Sequence, residues 1–304
     1  MMDVRRLRLL REVAVRGTIA AVAGALHLSP SAVSQQLSQL EREAGSPLLR
    51  KAGRRLQLTP QGEVLVAHAG IILEQLELAE SELQASLAEA TGTVRIAMFQ
   101  SVALALLVPM LRSLAAEHPR LRVTLTQREP ETALLETFAR DFDLVVAEQY
   151  PGHAAPWHDG IDRVVLLHDA VRLAVPRRWR TITGLGDMAP LPWVAERHGA
   201  ASRHFAEQVC RQAGFEPDIR FETDDLQAHA ALIRSGNACA LVPDLLWQGR
   251  TPPVRLVDLP GNPRRTVFTA TRRSMSERPS VVAVRSTLAA VAGIRDWAPP
   301  VVST

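Results

Sequence analysis

Residues 17 to 41 constrain the fold of this 304-residue chain more than any other segment. Gly17 ends one predicted helix, Thr18 can cap a second helix, and a three-residue turn then ends at Ser29. Ser29 is a favourable N-cap, and Pro30 occupies the first position of a third helix, where its missing N–H removes no hydrogen bond. Two helices joined by so short a turn predict a helix-turn-helix.

The third predicted helix is amphipathic. A rotation of about 100° per residue places Val33, Leu37 and Leu40 on one apolar side. The other side carries short hydroxyls, a glutamine and an arginine, which are suited to contact base edges or phosphates in the major groove. The predicted DNA-contacting residues of this helix are Ser31, Ser34, Gln35, Ser38 and Arg42, with Gln35 as the base reader.

A basic segment follows this helix. Two short apolar runs flank a Gly-Arg-Arg turn at residues 53–55, which predicts a hairpin wing for contacts to backbone phosphates by Arg50, Arg54 and Arg55. Residues 1 to 58 contain ten lysines and arginines against four acids, a net charge of +6. A strongly basic segment of this kind is typical of a nucleic-acid-binding domain.

Residues 59 to 91 predict a long linker helix that begins with Thr59 as its cap. Six glutamates and no lysine or arginine occur between residues 59 and 92. Apolar residues at alternating steps of four and three indicate a coiled-coil seam, in a helix of about 48 Å if it reaches Ala90. We therefore predict a homodimer or homotetramer; packing of the seam on the chain's own body is the alternative. The residues assigned to dimerisation are Leu65, Ile72, Leu76 and Leu83.

From residue 92 the pattern changes to strands that alternate with helices. The first run predicts strands at 93–98, 121–126 and 144–147 with helices at 101–117 and 131–140, a parallel βαβαβ unit. A second run of the same parallel kind is predicted, with strands near 171–175, 193–195, 219–222 and 238–242 and helices near 202–213 and 226–235. The predicted fold is α/β, with two effector-binding lobes as in periplasmic binding proteins.

The predicted domains are a winged helix-turn-helix at 1–58, a linker helix at 59–91 and an effector domain at 92–300. Lobe 1 is expected at about 92–164 and 266–300, and lobe 2 at about 165–265. Ligands of open α/β sheets bind beyond the carboxyl ends of the strands, which predicts an effector cleft between the lobes. The candidate effector-binding residues are Gln100, Ser101, Val102, Glu129, Glu148, His198 and Thr223.

The chemistry of this predicted cleft favours a ligand that carries two charges. Ser101 begins a helix, so its hydroxyl and the neighbouring free N–H groups are suited to a carboxylate. The rim is nevertheless acidic, which favours a ligand that also carries an ammonium group, such as an amino acid or a related amine. The alternative is that these carboxylates face solvent or pair with arginines. The acidic residues are Glu129, Glu131, Glu148, Glu196, Asp224 and Asp225.

These segments together resemble the LysR-type transcriptional regulators. The resemblance rests on residues 17–37, on Leu40-Glu41, on Gly53-Arg54-Arg55 and on Leu58-Thr59-Pro60-Gln61-Gly62. It extends through the chain to residues 141–146 and 236–243, which are similar to landmarks of the family's two effector lobes.

The resemblance implies a regulator that binds an interrupted palindrome near a promoter and responds to a small molecule between its lobes. It also implies assembly through the linker helices into dimers or dimers of dimers. One residue departs from the family pattern. Many members have arginine where this chain has Gln35, so the base preference of the family does not transfer.

Three other functions are alternatives. An enzyme is disfavoured because the sequence shows no phosphate-binding glycine loop, no nucleophile elbow and no clustered metal ligands beyond the isolated His153 and His158. A redox sensor would use Cys210 and Cys239, as peroxide-sensing members of the family use two cysteines. A purely architectural DNA-binding protein would leave the predicted lobes without a role.

Composition completes these expectations. Only two cysteines occur, and the amino terminus lacks the apolar stretch of a signal peptide, which favours a cytoplasmic protein. A helix needs about 20 apolar residues to span a bilayer, and no apolar run in the sequence approaches that length. We therefore expect no membrane partner. No cofactor and no metal are predicted.

Overall fold

The computed structural model describes residues 2–52, 55–86, 89–182 and 184–293. It divides into two compact units. The first comprises residues up to 89 together with 139–141 and 277–279, and the second comprises the rest of the chain.

The first unit contains the predicted helix-turn-helix. Its helices are α1 (Val4–Arg16), α2 (Ile19–Leu26) and α3 (Pro30–Ala44). Thr18 accepts a hydrogen bond from the Ala21 N–H and Ser29 accepts one from the Ala32 N–H, as the cap predictions require. The buried core includes Leu7, Leu10, Val13, Val22, Val33, Leu37, Leu40 and Leu48. The predicted apolar side of the third helix is therefore confirmed.

The wing is an antiparallel hairpin of β1 (Leu49–Ala52) and β2 (Arg55–Leu58). The Glu41 carboxylate joins α3 to this hairpin, because it accepts hydrogen bonds from the N–H groups of Leu48 and Leu49 at 2.9 and 3.2 Å. Gly62 packs against Leu48, the residue that precedes this hairpin. A Cβ atom at this position would lie 2.2 Å from the Leu48 carbonyl oxygen, so only glycine fits.

The linker helix α4 (Pro60–Ala85) is shorter than predicted. Thr59 caps it through a hydrogen bond from the Gly62 N–H, as expected, but its 26 residues give a length of about 39 Å. The helix was predicted to reach Ala90. It stops at Ser86, whose hydroxyl donates to the Leu83 carbonyl at 2.7 Å, a local bond that competes with a further helical turn.

The second unit begins with the predicted parallel βαβαβ arrangement, which is confirmed. Strands β3 (Gly92–Met98), β4 (Leu121–Gln127) and β5 (Leu144–Gln149) are parallel in the order β4-β3-β5. Helices α5 (Gln100–Glu117) and α6 (Pro130–Phe138) connect them. An antiparallel strand, β11 (Arg264–Arg272), extends this sheet beside β5, and this lobe 1 ends with α9 (Pro279–Val291).

One long strand, β6 (Ile161–Val175), belongs to both lobes. Its residues 161–170 pair with β11, whereas 171–175 pair with β9 (Ala240–Pro243) and β10 (Arg255–Val257) of lobe 2. Our prediction that this strand starts at residue 171 is wrong. A bulge opposite Val267 and Phe268 breaks the two-residue alternation of buried and exposed side chains in the first part of β6. The sequence there lacks the regular alternation by which a strand is predicted.

Lobe 2 is not the second all-parallel unit that the sequence predicted. Strands β7 (Pro192–Ala195) and β8 (Asp218–Glu222) are parallel, whereas β9 and β10 run antiparallel to β6. Helices α7 (Ala201–Gln212) and α8 (Leu226–Ser235) lie close to the predicted ranges.

Helix α5 is long and apolar enough, by length and composition alone, to cross a membrane. This differs from our reading of the sequence, which found no such run. Residues 103–107 of α5 form a π-helical turn. Leu106, Met110 and Leu114 of the same helix are buried in the core of lobe 1.

Candidate DNA-binding surface and effector cleft

All five predicted contact residues of α3 lie on its exposed side. Ser31, Ser34, Gln35, Ser38 and Arg42 are exposed, whereas Val33, Leu37 and Leu40 are at most 3% exposed. The Arg42 guanidinium donates to the Gln39 side chain on the same helix. Gln36 is half-buried and accepts from the Arg6 guanidinium of α1 at 2.9 Å. The helix therefore has one fixed side and one side available to a partner.

The wing presents cations on its first strand. Arg50 and Lys51 are exposed, and Arg50 pairs with Gln57 across the hairpin. The predicted contact Arg54 lies outside the described residues. Arg55 begins β2, opposite Ala52, and only its backbone is described.

The residues predicted for dimerisation occupy two different environments on α4. Leu65 is half-buried and packs against the helix-turn-helix core, beside the fully buried Ala69. By contrast, Ile72, Leu76 and Leu83 are 39%, 47% and 69% exposed. The first turns of the seam thus pack on the chain's own body, which was the alternative interpretation, while the later turns expose large apolar side chains.

The second unit contains a cleft between its two lobes, enclosing about 40 Å³. Four predicted effector residues line it, namely Gln100, Ser101, Glu129 and Glu148. Gln100, Ser101 and Glu129 follow the carboxyl ends of β3 and β4, and Glu148 is the penultimate residue of β5. Ligands of α/β sheets bind at these strand ends. This volume is far below the about 300–1,000 Å³ of sites for drug-sized ligands, so only a very small ligand fits unless the lobes separate.

The other three predicted residues do not line the cleft. Val102 is fully buried in the core of lobe 1, because the helical rotation turns it away from its neighbour Ser101. His198 is exposed on the loop after β7. Thr223 contacts residues near the cleft instead of lining it. Its carbonyl contacts the His229 ring, and its hydroxyl accepts a hydrogen bond from the Asp225 N–H.

A buried arginine occupies the floor of the cleft. Arg265 of β11 is 2% exposed and donates to Glu148 at 2.5 Å, to Asp169 at 2.7 Å and to the Ser101 hydroxyl at 2.8 Å. Asp169 also accepts from the Leu245 N–H at 3.0 Å. The Ser101 hydroxyl, which we predicted as a carboxylate ligand, is therefore an acceptor for Arg265. The N–H groups at the start of α5 have no intrahelical acceptor.

Two carboxyl groups of the cleft resist ionisation. Burial raises the pKa of Glu148 to about 7, although Arg265 opposes this shift. Burial likewise raises the pKa of Glu196 to about 7; the hydrogen bond from Ser202 opposes the shift, and the neighbouring carboxylates of Glu129 and Asp224 add to it. Burial also raises the pKa of Glu129. The cleft thus places several carboxyl groups in a poorly solvated space, which opposes their ionisation unless a cation binds beside them.

The two lobes are held together by polar contacts across the cleft. The Gln100 amide donates to the Asp225 carboxylate at 2.8 Å, and its oxygen accepts from the Leu226 N–H at 2.7 Å. Arg197 lies 2.7 Å from Asp224 within lobe 2 and 4.0 Å from Glu129 of lobe 1. Opening the cleft requires that the contacts of Gln100 with Asp225 and Leu226, and that of Arg197 with Glu129, break.

Sequence reasoning missed three deeply buried residues of the cleft. Arg265, Tyr150 and His229 line it and are each at most 6% exposed, and Asp169 completes the ion network behind them. The only available signal was an arginine directly before the apolar residues of a strand, which is a weak indication of burial. Nothing in the sequence indicated its partners, because they come from three other elements.

Both cysteines are buried in one apolar cluster of lobe 2 and are free thiols. Burial raises the pKa of the Cys210 thiol to about 12, and burial raises that of Cys239 as well. Thiols that do not ionise near neutral pH react slowly with peroxide, which weighs against the redox-sensor alternative. Across the described ranges, no group of three or more histidine, cysteine, aspartate or glutamate residues is arranged to hold a metal ion.

Comparisons with known proteins agree with this architecture. The family described as LysR substrate binding domain matches residues 87–293, and the bacterial regulatory helix-turn-helix protein, lysR family, matches residues 4–63. The transcriptional dual regulator GltC of Bacillus subtilis is 28% identical over 251 residues, covering 83% of this chain and 84% of that protein. The transcriptional activator IlvY of Salmonella typhimurium is 26% identical over 257 residues, covering 84% and 86%.

Solved structures give the same result. Full-length CbnR in complex with its target DNA is 25% identical, with a TM-score of 0.53, covering 96% of this chain and 100% of that chain. A full-length OxyR from Pseudomonas aeruginosa shares the fold at 16% identity, with a TM-score of 0.69 and 99% of both chains covered. The chain therefore belongs to the LysR family of bacterial transcriptional regulators.

Proposed function

We propose that this DNA-binding regulator acts as a homo-oligomer that reads its operator with α3 and changes its promoter affinity when a small amine-bearing molecule enters the cleft. The observation that carries this proposal is the contrast between an exposed polar face on α3 and a buried acidic cleft in the second unit. A regulator of bacterial promoters acts in the cytoplasm, where the chromosome is.

In this proposal Gln35 reads a base, and the nearby serines and Arg42 contact base edges or phosphates. Gln35 is exposed at the centre of the polar face, and glutamine can make two hydrogen bonds to adenine in the major groove. Arg50 and the two arginines at the wing tip, Arg54 and Arg55, contact the phosphate backbone, which adds affinity without sequence preference.

The oligomer is proposed to form through the later turns of α4. Ile72, Leu76 and Leu83 recur at steps of four and seven residues and remain exposed in the single chain. Large apolar side chains in such a row are stabilised when a second copy of the helix covers them. Leu65 contributes indirectly, because it fixes the start of the helix to the helix-turn-helix core.

The effector is proposed to be an amino acid or a related small amine. Glu129, Glu148, Glu196 and Asp224 all line the cleft, and the Arg265 charge is already shared between Glu148 and Asp169. An ammonium group would offset this excess of negative charge. The free N–H groups at the start of α5 are suited to the carboxylate of the same ligand.

The test begins without a known operator or effector. In vitro selection from a random DNA library with the full chain should enrich an interrupted palindrome, and anisotropy titrations should then show sequence-specific binding. Adding the twenty amino acids one by one should change this affinity for at least one of them. Enrichment of no sequence would contradict the assignment of α3. Unchanged affinity with every amino acid would contradict the assigned effector class.

A further inference from the structure

A buried histidine in the cleft wall has an unpaired ring nitrogen. His229 lies in the first turn of α8, lines the cleft and is 3% exposed. Its Nε2 atom lies 2.7 Å from the Thr223 carbonyl oxygen, whereas Nδ1 has no hydrogen-bond partner among the described residues. A carbonyl can only accept, so Nε2 carries the proton and donates, and in the neutral ring Nδ1 is an acceptor.

An unpaired buried acceptor is unusual and unfavourable. Most buried polar atoms have a partner, and an unsatisfied one destabilises the fold. Burial lowers the pKa of His229, although the Thr223 carbonyl and the carboxylates of Asp224 and Asp225 oppose this shift. The ring is therefore neutral at physiological pH, and its free nitrogen can pair only with a donor.

The lobe 2 side of the cleft contributes further acceptors. Glu196 follows β7 and Asp224 follows β8, and both line the cleft together with His229. Asp224 is already paired with Arg197 at 2.7 Å, whereas Glu196 receives its hydrogen bond from the neutral Ser202 hydroxyl. Glu196 is therefore the carboxyl group on this side without a cationic partner among the described contacts.

We infer that His229 and Glu196 form the amine-binding subsite of the effector cleft, in which His229 Nδ1 accepts an N–H of the ligand and Glu196 balances its charge. The ligand's carboxylate then lies toward the N-terminus of α5 in lobe 1. This inference rests on the proposed function, and it makes His229 a specificity-determining residue that selects an amino acid over the same acid without its amine.

The test compares matched ligands on the full chain by calorimetric titration. The probes are the twenty L-amino acids and, for each, the carboxylic acid in which hydrogen replaces the α-amine. The amino acid that binds should do so at least about tenfold more tightly than its deaminated partner, because a hydrogen bond to a charged group is lost with the amine.

Two variants of His229 separate recognition from structural support. His229→Gln can keep the donor near Nε2 for Thr223 but loses the acceptor near Nδ1, so the preference for the amine should fall by about tenfold. His229→Asn can keep an acceptor near Nδ1, so most of the preference should remain although the Thr223 contact is lost. The control His198→Leu changes an exposed histidine of the same lobe and should leave the preference unchanged.

A second measurement observes the ring directly. Long-range ¹H–¹⁵N spectra should assign His229 to the Nε2–H form, and the Nδ1 resonance should shift when the amino acid binds but not with its deaminated partner. Binding of deaminated acids as tightly as amino acids, or an unchanged preference in His229→Gln, would overturn the inference while leaving the cleft as an effector site. If no probe of either set binds, both the inference and the amine-bearing effector class are wrong, and operator binding is judged by the DNA selection alone.

Discussion

The two units of the chain use charge in opposite ways. The first unit leaves Arg50, Lys51 and Arg42 exposed, where water and salt reduce their mutual repulsion. The second unit buries Arg265 between Glu148 and Asp169, and it holds the half-buried Glu196 without a cationic partner among the described contacts. Exposed charge contributes little to stability and much to association with a polyanion. Buried charge contributes to stability and to the selection of a ligand only through its particular partners.

The largest loss of stability is expected when the buried charge of Arg265 in the second unit is removed. Arg265→Met should destabilise the second unit by about 3–5 kcal/mol, because it leaves Glu148 and Asp169 buried without their cation. Thermal unfolding should shift down by about 10 °C. The neighbouring Arg264 is exposed, and its guanidinium donates to the His168 carbonyl at 3.4 Å, so Arg264→Met is the control and should change little. If the two substitutions lowered the stability equally, burial of the arginine would not determine its contribution.

The next largest effect concerns an apolar surface on the first unit. Leu76→Glu should weaken dimerisation by about 3 kcal/mol or more, because two copies would bury like charges without partners. Sedimentation analysis at micromolar concentration should then detect monomers. Leu78→Glu, on an exposed leucine outside the predicted seam, should remain dimeric. A dimeric Leu76→Glu protein would show that α4 does not hold the oligomer.

The two units also differ in how much of their structure could be predicted from the sequence. The caps Thr18, Ser29 and Thr59 were predictable because each accepts a hydrogen bond from a backbone N–H three residues away. The exposed face of α3 followed from helical periodicity for the same reason, since a local repeat determines which side is buried.

The floor of the cleft depends on contacts between distant residues. Arg265 meets Ser101 and Glu148 across separations of 164 and 117 residues, and no local pattern encodes such a pairing. The bulge that conceals the first part of β6 arises in the same way, from its pairing with β11 almost a hundred residues later. The positions of Gln100 and Glu148 were predictable only because strand ends converge in this class of fold.

A pH dependence should distinguish buried from exposed carboxyl groups. The pKa of Glu196 rises from its ordinary 4.5 to about 7 in the folded chain, so its contribution to stability is complete below pH 4.5 and is lost as the pH rises through 7. Glu196→Gln cannot ionise and keeps an acceptor for Ser202. It should match the native chain near pH 4.5 and exceed its stability at pH 8, by on the order of 2 kcal/mol.

The matched control for this pH series is Glu117→Gln. Glu117 also accepts a hydrogen bond from a serine, Ser113, at 2.7 Å, but it is exposed at the end of α5. Denaturant titrations at pH 5, 6, 7 and 8 should show a difference that grows with pH for Glu196→Gln only. A difference that is constant across the series would show that Glu196 does not titrate in this range.

Base reading by the first unit should be a smaller and more specific effect. Gln35→Ala should weaken binding to the selected operator by about 1–3 kcal/mol and leave non-specific binding nearly unchanged, because only base contacts distinguish sequences. Competition titrations against random DNA measure this difference. Gln36→Ala removes the adjacent glutamine, which is engaged with Arg6, and should preserve operator discrimination. Unchanged discrimination in Gln35→Ala would assign base reading to other residues of α3.

The smallest change in DNA affinity at physiological salt should come from removing a single exposed cation. The dependence of that affinity on salt concentration identifies the cation as a phosphate contact. Arg50 lies on the first strand of the wing, and a phosphate contact releases counterions from DNA, so Arg50→Ala should lower affinity for operator and random DNA alike. The slope of log affinity against log salt should fall in magnitude by about 0.9 for each protomer's contact. Arg122→Ala removes an equally exposed cation from β4 of the second unit and should leave the slope unchanged. If the two substitutions reduced the slope equally, the DNA would contact charge on both units, and the division of roles between exposed and buried charge would no longer follow the division of the chain.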